Sequence, residues 1–429
     1  MELIVNDDSS ETIIDKIINN DKKTNNKVTL CLNMIVKNES KNITRLFDSL
    51  LSIMDCYCIC DTGSTDNTID VITNYFLTKG ISGKVIVEPF KNFSYNRNAA
   101  LSACQGMSDY ILLLDADMVV KIIDPNKVKD FKNSLTSYDS FSLFQGTETF
   151  FYKNIRIIKN RNMFKYVGVT HEYVETPPNC TMSTVTKDIL FILDLGDGGC
   201  KQDKFERDIK LLTDDIQENN NIIRNTFYLA NSYYDLEKYS EAIPLYQKRI
   251  ELGGWIQEVW FSYYRMGICH QRLAQLPEAV YAWLNGYNCF PERLEGLYEV
   301  IKHYRVIGKY NLCKLYYDIC KKVLDNSVNR DDYLFLDNSV YTYKLYFEYT
   351  IFAFYINIIK NIDYETVKVL NNSHDERELT CLFSNLKFYN RQLNQIHRYD
   401  YTDNLVLNIN GVYTVFYSSS PCILPNPLH

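Results

Sequence analysis

The sequence predicts an α/β domain built on a parallel sheet, followed by an all-α domain of helical repeats. Three observations predict it. Between Val28 and Leu114, short apolar runs alternate with segments of helical period, the pattern of strand–helix–strand units. After about residue 205 the strands stop and helical periodicity takes over. Within that helical part, small and aromatic residues recur at a spacing of 34 to 37 residues. A length of 429 residues suits two or three domains of ordinary size.

The elements follow in order. Residues 1–26 are a polar extension in which Ile13, Ile14, Ile17 and Ile18 keep helical spacing. Val28–Val36 is a buried-strand run, broken by Lys37-Asn38-Glu39-Ser40. Ile43, Leu46, Phe47, Leu50 and Leu51 define a helix over Ile43–Ile53. Tyr57–Cys60 is the second strand, and Asp66 is placed to cap a helix over Thr68–Leu77. Lys84–Glu88 is the third strand, Asn96–Cys104 a helix, and Tyr110–Leu114 a fourth, fully apolar strand. Strand candidates then run at Phe141–Phe144, Asn154–Ile158, Val167–Val174 and Ile189–Leu193. A turn at Asp194–Gly199 precedes a charged helix starting at Lys204. The first domain is therefore drawn over residues 27–205.

Residues 206–330 carry the repeat. Ala230, Tyr233, Ala242 and Tyr246 are matched 37 residues on by Gly267, His270, Ala279 and Trp283. Ile301, Tyr304, Cys313 and Tyr317 follow after another 34. Pro291 closes the second unit, and Gly253-Gly254-Trp255 accounts for the longer first interval. This pattern resembles tetratricopeptide repeats. Residues 331–429 form a divergent helical region that ends in a β-hairpin, marked by Asn410-Gly411 between two alternating runs.

Composition excludes several classes. Hydrophobic residues at 46% and charged residues at 23% rule out a disordered or fibrous chain. A net charge of −7 argues against binding a nucleic-acid backbone. The 13 cysteines are scattered without a CxxC pair, which reads as small buried hydrophobes in a reducing compartment. The N-terminal stretch has no basic region followed by an apolar core, and Tyr349–Ile359 is too short for a membrane span. The expected location is the cytosol.

The chemistry sits at strand ends. In parallel α/β sheets ligands bind at the carboxyl ends of the strands, where Asp61, Asp115 and Asp117 lie. Asp115-Ala116-Asp117 places two like charges close together, an arrangement relieved by a cation. Oxygen ligands alone suit Mg²⁺ or Mn²⁺, with phosphate oxygens completing the shell. Taken alone, an acidic pair at a strand end is as often a solvated turn.

Four motifs in order carry a resemblance. They are Lys37-Asn38-Glu39 after the first strand, Asp61-Thr62-Gly63-Ser64-Thr65-Asp66-Asn67-Thr68, Phe93-Ser94-Tyr95-Asn96-Arg97-Asn98-Ala99-Ala100, and Asp115-Ala116-Asp117. Together they resemble family 2 glycosyltransferases of the GT-A fold, over about residues 28–207. The resemblance implies that Asp61 contacts the nucleotide base and that Val36 to Glu39 line the nucleotide pocket. It implies that Arg97 and Asp115 hold the nucleotide-sugar, and that Asp117, with Asp115, binds Mn²⁺ or Mg²⁺. Tyr166-Val167-Gly168-Val169-Thr170-His171-Glu172 resembles the family's G-x-x-H-E segment. Glu172 is the candidate base of an inverting transfer, and His171 an alternative metal ligand. In a regular strand these two would face opposite ways, so only one could serve unless the chain bends. A strand-edge ion pair of Glu172 with Lys159 or Arg161 is the plainer alternative. At Asp194–Gly199 relatives often carry His-x-Gly; aspartates stand here instead, which puts a histidine ligand at this point in doubt.

The expected function is therefore metal-dependent transfer of a sugar from a nucleotide diphosphate-sugar, first of all a UDP-sugar, to an acceptor hydroxyl. The helical repeats would bind acceptor, a partner or a second copy. The alternative from another class is a non-catalytic interaction protein with a degenerate transferase domain. A haloacid-type phosphatase is disfavoured because three strands precede the Asp-x-Asp. A nucleotidyltransferase is disfavoured because the first loop is not rich in Gly and Lys.

Overall fold

The computed structural model describes residues 28–147, 151–198, 204–326, 328, 330, 333, 335–358, 362–389, 393–398, 404–409 and 412–417. The extension before Val28 and the Asn410-Gly411 turn lie outside the described residues. The chain divides into two compact units, Met1–Lys204 and Phe205–His429.

The first unit begins with β1 (Leu30–Val36), α1 (Ile43–Leu50), β2 (Cys56–Asp61), α2 (Thr68–Lys79), β3 (Gly83–Val87), α3 (Phe93–Ala103) and β4 (Tyr110–Leu113). β5 (Met118–Ile122), α4 (Pro125–Ser134), β6 (Ser140–Gly146) and β7 (Phe151–Lys159) follow. The unit closes with β8 (Lys165–Val167), β9 (Tyr173–Glu175), β10 (Met182–Thr184) and β11 (Leu190–Asp194). Its main sheet runs β3-β2-β1-β4-β7-β6-β11-β5, with β10 beside β6. The strands β3, β2, β1 and β4 are parallel, and β7 is the first antiparallel neighbour. The four strands of the alternating stretch are parallel as expected, and β7, β6, β11 and β5 extend them into a mixed sheet in which β7 and β6 pair antiparallel, β6 and β11 parallel, and β11 and β5 antiparallel.

Alternation in β1 sends successive side chains to two separate cores. Leu30, Leu32 and Met34 pack with Ile43, Phe47, Leu50, Ile72 and Phe76 from α1 and α2. Cys31, with Cys56 and Cys58 of β2, packs on the other face with Leu101 and Cys104 near the end of α3. The cysteines here are core side chains. Buried Asn33 ties sheet to helix, its amide donating to the Cys58 carbonyl at 3.0 Å and the Ala100 carbonyl at 2.9 Å.

Two expectations change. The single strand expected over Val167–Val174 is two short strands, because Gly168 (φ 105°) and His171 (φ 48°) break the extended backbone. The strand Met118–Ile122 was not foreseen; it lies directly after the acidic pair and runs antiparallel to β11.

The second unit is helical. Three hairpins follow the entry helix α5 (Lys204–Gln217): α6 (Ile222–Asp235) with α7 (Tyr239–Leu252), α8 (Ile256–Arg272) with α9 (Leu276–Cys289), and α10 (Glu295–Val306) with α11 (Tyr310–Leu324). Each hairpin closes with the same turn. Glu237, Ala274 and Gly308 take left-handed φ of 58°, 59° and 71°. The next residue's amide then bonds back to Tyr233, His270 or Tyr304 at 2.9, 2.8 and 2.8 Å. Such a left-handed residue with a backward bond is how helices satisfy their last carbonyls. Gly267 is small for a packing reason, since a Cβ there would lie 2.3 Å from Trp283 Nε1. Helices α12 (Leu345–Phe352), α13 (Asp363–Asn372) and α14 (Glu376–Leu386) follow, then the strands β12 (Leu393–Arg398), β13 (Asn404–Ile409) and β14 (Val412–Tyr417). The last two pair antiparallel with Ile409 opposite Val412, a hairpin register. Among the described residues no helix is long and apolar enough to cross a membrane.

Candidate active site

Two loops meet at the carboxyl ends of β1 and β2, and their polar residues stitch them together. Asp61 Oδ1 accepts from the amides of Gly63 (2.9 Å) and Ser64 (2.8 Å), a tight turn that Gly63 permits with φ 105°. Asn38 Oδ1 accepts from the Thr65 amide at 2.7 Å, and Thr68 Oγ1 accepts from the Glu39 amide at 2.9 Å. Asp66 bonds Ser40 and Thr68, so it joins the loops as well as starting α2. The other oxygen of Asp61, Oδ2, is buried without a hydrogen-bond partner among the described residues, in a residue only 1% exposed. A buried acceptor left open at a loop junction is a place for a donor from a ligand. Val36 is buried, and its carbonyl accepts both the amide (2.9 Å) and the hydroxyl (3.0 Å) of Thr62. Val36 therefore shapes the loop through Thr62.

The motif around Arg97 separates into clamps and a functional group. Asn92 caps α3, accepting from the Tyr95 amide at 2.8 Å. Asn96 is buried and donates to the carbonyls of Glu88 and Pro89, both at 3.1 Å. Asn98 bonds the Tyr166 backbone twice, at 2.9 and 2.8 Å. The Phe93 amide donates to the Val169 carbonyl at 3.0 Å. These bonds hold the segment 166–172 against the first turn of α3, and the bend at Gly168 and His171 turns Glu172 toward Arg97.

Arg97 then bridges two carboxylates. Its Nε donates to Glu172 Oε1 at 2.5 Å and its Nη2 to Asp115 Oδ1 at 2.6 Å. The guanidinium lies 5.4 Å from the ring centre of Tyr166. Asp115 has a second cation, Arg156 Nη1, at 3.5 Å from Oδ2. Burial opposes charge on both Asp115 and Arg97, and the ion pairs outweigh it. Asp115 is held below the usual carboxylate range by Arg97 and Arg156 despite burial. Arg97 is raised well above the ordinary arginine value by Asp115 and Glu172 despite the same cost.

Arg156 is a site residue that sequence reasoning missed. The pairing of β6 with β7 shifts by one residue between Phe141 and Ser142, opposite Ile157 and Ile155, and the extra residue is Arg156. A bulge re-aims the side chain it carries. Arg156 points to Asp115 and donates from Nε to Gln145 Oε1 at 2.5 Å and from Nη1 to the Leu113 carbonyl at 3.2 Å. A lone arginine in an apolar strand was the signal available. Lys159, the alternative partner for Glu172, pairs instead with Asp139 at 2.8 Å.

Asp117 lies apart from the arginines. Its backbone carbonyl accepts from Leu195, and the Gly198 amide approaches Oδ2 at 3.4 Å. A Cβ at Gly198 would lie 3.1 Å from both Asp117 Oδ2 and Glu39 Oε1. Two carboxylates thus flank one small gap. Asp197, beside it, is bonded by Arg45 at 2.9 and 2.7 Å and so is taken up structurally. Glu39 and Asp117 offer two hard oxygen donors, which suits Mg²⁺ or Mn²⁺ when phosphate supplies further oxygens. The expected set of Asp115, Asp117 and His171 does not assemble around one point. Among the described residues no three acidic, histidine or cysteine side chains could hold a metal ion. Asp115 faces the arginines for the electrostatic reason already given.

Residues 31–166 match the model of a family described as glycosyl transferase family 2. An uncharacterized glycosyltransferase of Rickettsia felis is 33% identical over 84 residues, which is 20% of this chain and 27% of that protein. A counterpart in Rickettsia prowazekii is also 33% identical over 84 residues, 20% of this chain and 26% of its own. The chain thus spans about a quarter of the length of the curated relatives it matches. Among solved structures, S. aureus TarS 1-349 gives a TM-score of 0.35 at 14% identity, covering 61% of this chain and 91% of that one. The mannosyltransferase PcManGT from Pyrobaculum calidifontis, in complex with GDP-Man and Mn²⁺, gives 0.35 at 11% identity, covering 70% and 88%.

Proposed function

We propose, from the family 2 match over residues 31–166, that the first unit transfers a sugar from a nucleotide diphosphate-sugar to an acceptor hydroxyl. The observation that carries the reading is Arg97 holding Glu172 beside Asp115 near the carboxyl end of the parallel strands. Glu172 takes the proton of the acceptor hydroxyl as that oxygen attacks the anomeric carbon. The bond from that carbon to the diphosphate oxygen breaks, and its electron pair leaves with the diphosphate. Attack by the acceptor oxygen from the face opposite the leaving group, in one displacement, inverts the anomeric centre. Arg97 fixes the direction of Glu172, and Tyr166 packs beside it. Asp61 Oδ2 accepts an N–H of the base, for which uracil is the first choice. Glu39 and Asp117 would hold Mn²⁺ or Mg²⁺, which supplies positive charge for the departing diphosphate. The helical hairpins resemble tetratricopeptide repeats in their turns, and we assign them the binding of acceptor or a partner protein.

The test is calorimetric titration of UDP, GDP, UDP-GlcNAc and GDP-mannose with and without Mn²⁺, on wild type and Asp117→Asn. Metal-dependent binding of one nucleotide, lost in the variant, is the expected result. Absence of binding by every member sinks the reading and leaves the helical unit as the working part of the protein.

A further inference from the structure

The polar contacts at Asp115 continue past Arg156 to the surface. Arg156 is 7% exposed and Gln145 1% exposed, so both are interior groups. Arginine has donors only, so the Gln145 oxygen must face Arg156 Nε, as it does at 2.5 Å. The amide nitrogen of Gln145 is then the end that meets Tyr152, donating to its hydroxyl at 2.7 Å. The Tyr152 oxygen accepts that bond, and its own O–H has no acceptor among the described residues. Tyr152 as a residue is 45% exposed. Burial raises the Tyr152 phenol above its ordinary value.

Gln145 and Tyr152 share one face of the sheet. Gln145 lies opposite Tyr152 in the β6–β7 register, and both Tyr152 and Arg156 bond the same Gln145 side chain. Phe144 and Phe191 each make a ring contact with Phe151 on the other face. Tyr152 is thus an exposed tyrosine whose hydroxyl accepts from a buried amide, and that amide in turn binds the arginine that holds Asp115.

We propose that Tyr152 is a pyranose-binding platform of this site, positioned by Gln145 and Arg156. A pyranose offers an apolar C–H face to stack on an aromatic ring and hydroxyls to accept the O–H. An exposed tyrosine whose hydroxyl has no acceptor among the described residues serves both needs. The inference rests on the transferase reading. The sugar is either the one carried by the nucleotide or one on the acceptor, and the experiment separates the two.

Wild type, Tyr152→Ala and Tyr152→Phe are titrated with UDP, UDP-GlcNAc, GDP and GDP-mannose in the presence of Mn²⁺. Methyl glycosides of glucose, galactose, mannose and N-acetylglucosamine are then titrated onto protein saturated with the nucleoside diphosphate it binds. The expected result is unchanged binding of the bare diphosphate in all three proteins. If the platform holds the donor sugar, the extra affinity of the nucleotide-sugar falls at least fivefold in Tyr152→Ala. If it holds the acceptor, methyl glycoside binding is lost instead. Tyr152→Phe keeps the stacking and loses the donor, so it falls between. Unchanged sugar binding in Tyr152→Ala overturns the proposal, and so does an equal loss of bare diphosphate binding, which marks Tyr152 as merely structural. Failure of wild type to bind any nucleotide is a different outcome; it removes the transferase reading and this inference with it.

Discussion

Arg156 is the extra residue of a β-bulge, and its Nη1 lies 3.5 Å from Asp115 Oδ2. Asp115 thereby receives two guanidinium groups, one from α3 and one from β7. Two buried cations and the carboxylates of Asp115 and Glu172 balance in charge, which is the condition for keeping them out of water.

Arg156→Lys tests this balance. Lysine keeps the charge and loses the planar fork that serves Asp115, Gln145 and the Leu113 carbonyl together. The expected cost is about 2 kcal/mol of stability, read from urea unfolding. Nucleoside diphosphate affinity is expected to fall about tenfold by calorimetry. An affinity equal to wild type removes Arg156 from the site.

Glu172→Gln removes the base and leaves Arg97 with Asp115. Turnover is expected to fall at least about 100-fold, the usual share of a positioned base. Nucleotide binding is expected to stay within about twofold, because the group acts on the acceptor. Single-turnover measurement with the nucleotide-sugar identified by titration decides it, and a near-normal rate moves the base elsewhere.

Gly198→Ala narrows the gap between Glu39 and Asp117, since the new Cβ would sit 3.1 Å from an oxygen of each. Metal-dependent nucleotide binding is expected to weaken several-fold, while binding measured in EDTA stays the same. A loss of equal size in EDTA would falsify a role at the cation.

Gly267→Ala addresses the helical unit. The added methyl would meet three atoms of the Trp283 indole, at 2.3, 2.5 and 2.8 Å. Overpacking of this kind costs about 1–3 kcal/mol. Thermal unfolding of the full chain should show the loss, and an unshifted transition would mean that Trp283 can move aside.

Glu365→Gln should stabilise the helical unit at neutral pH. Glu365 Oε1 accepts from the Tyr317 hydroxyl at 3.2 Å, whereas buried Oε2 has no hydrogen-bond partner among the described residues. Burial raises Glu365 above its ordinary value of 4.5. A carboxyl raised on folding binds its proton more tightly in the native state. Its cost to stability is therefore present above the raised native value, and fades as pH falls through that value toward 4.5. The substitution should gain about 1 kcal/mol near pH 7 and little near pH 4. A gain independent of pH would show that charge is not the cause.

Much of the fold was legible from residues. The alternating run at Leu30–Val36 and the helical spacing at Ile43–Leu50 each report their own surroundings, one apolar face at a time. Matched small residues at Ala230 and Gly267 marked where helices press together, and both occur in the first helix of a hairpin. The strand Met118–Ile122 escaped because five residues after an acidic pair read as the end of a motif. Its burial alternates, but alternation over so short a run is weak.

What the sequence determined by itself is the order of strands and helices, and the residue types at the carboxyl ends of the strands. Those follow from local hydrophobic period and from turn residues such as Gly63, which act over a few positions. What only the tertiary structure decided is which charges meet. Arg97 joins Glu172 from 75 positions away and Asp115 from 18, and it does so through clamps at Asn96 and Asn98. Asp115 left the expected metal set because two arginines hold it, while Glu39 came beside Asp117. Ion pairs in a buried site are set by the register of strands and the bend of a loop. Neither is written in the spacing of the residues that pair.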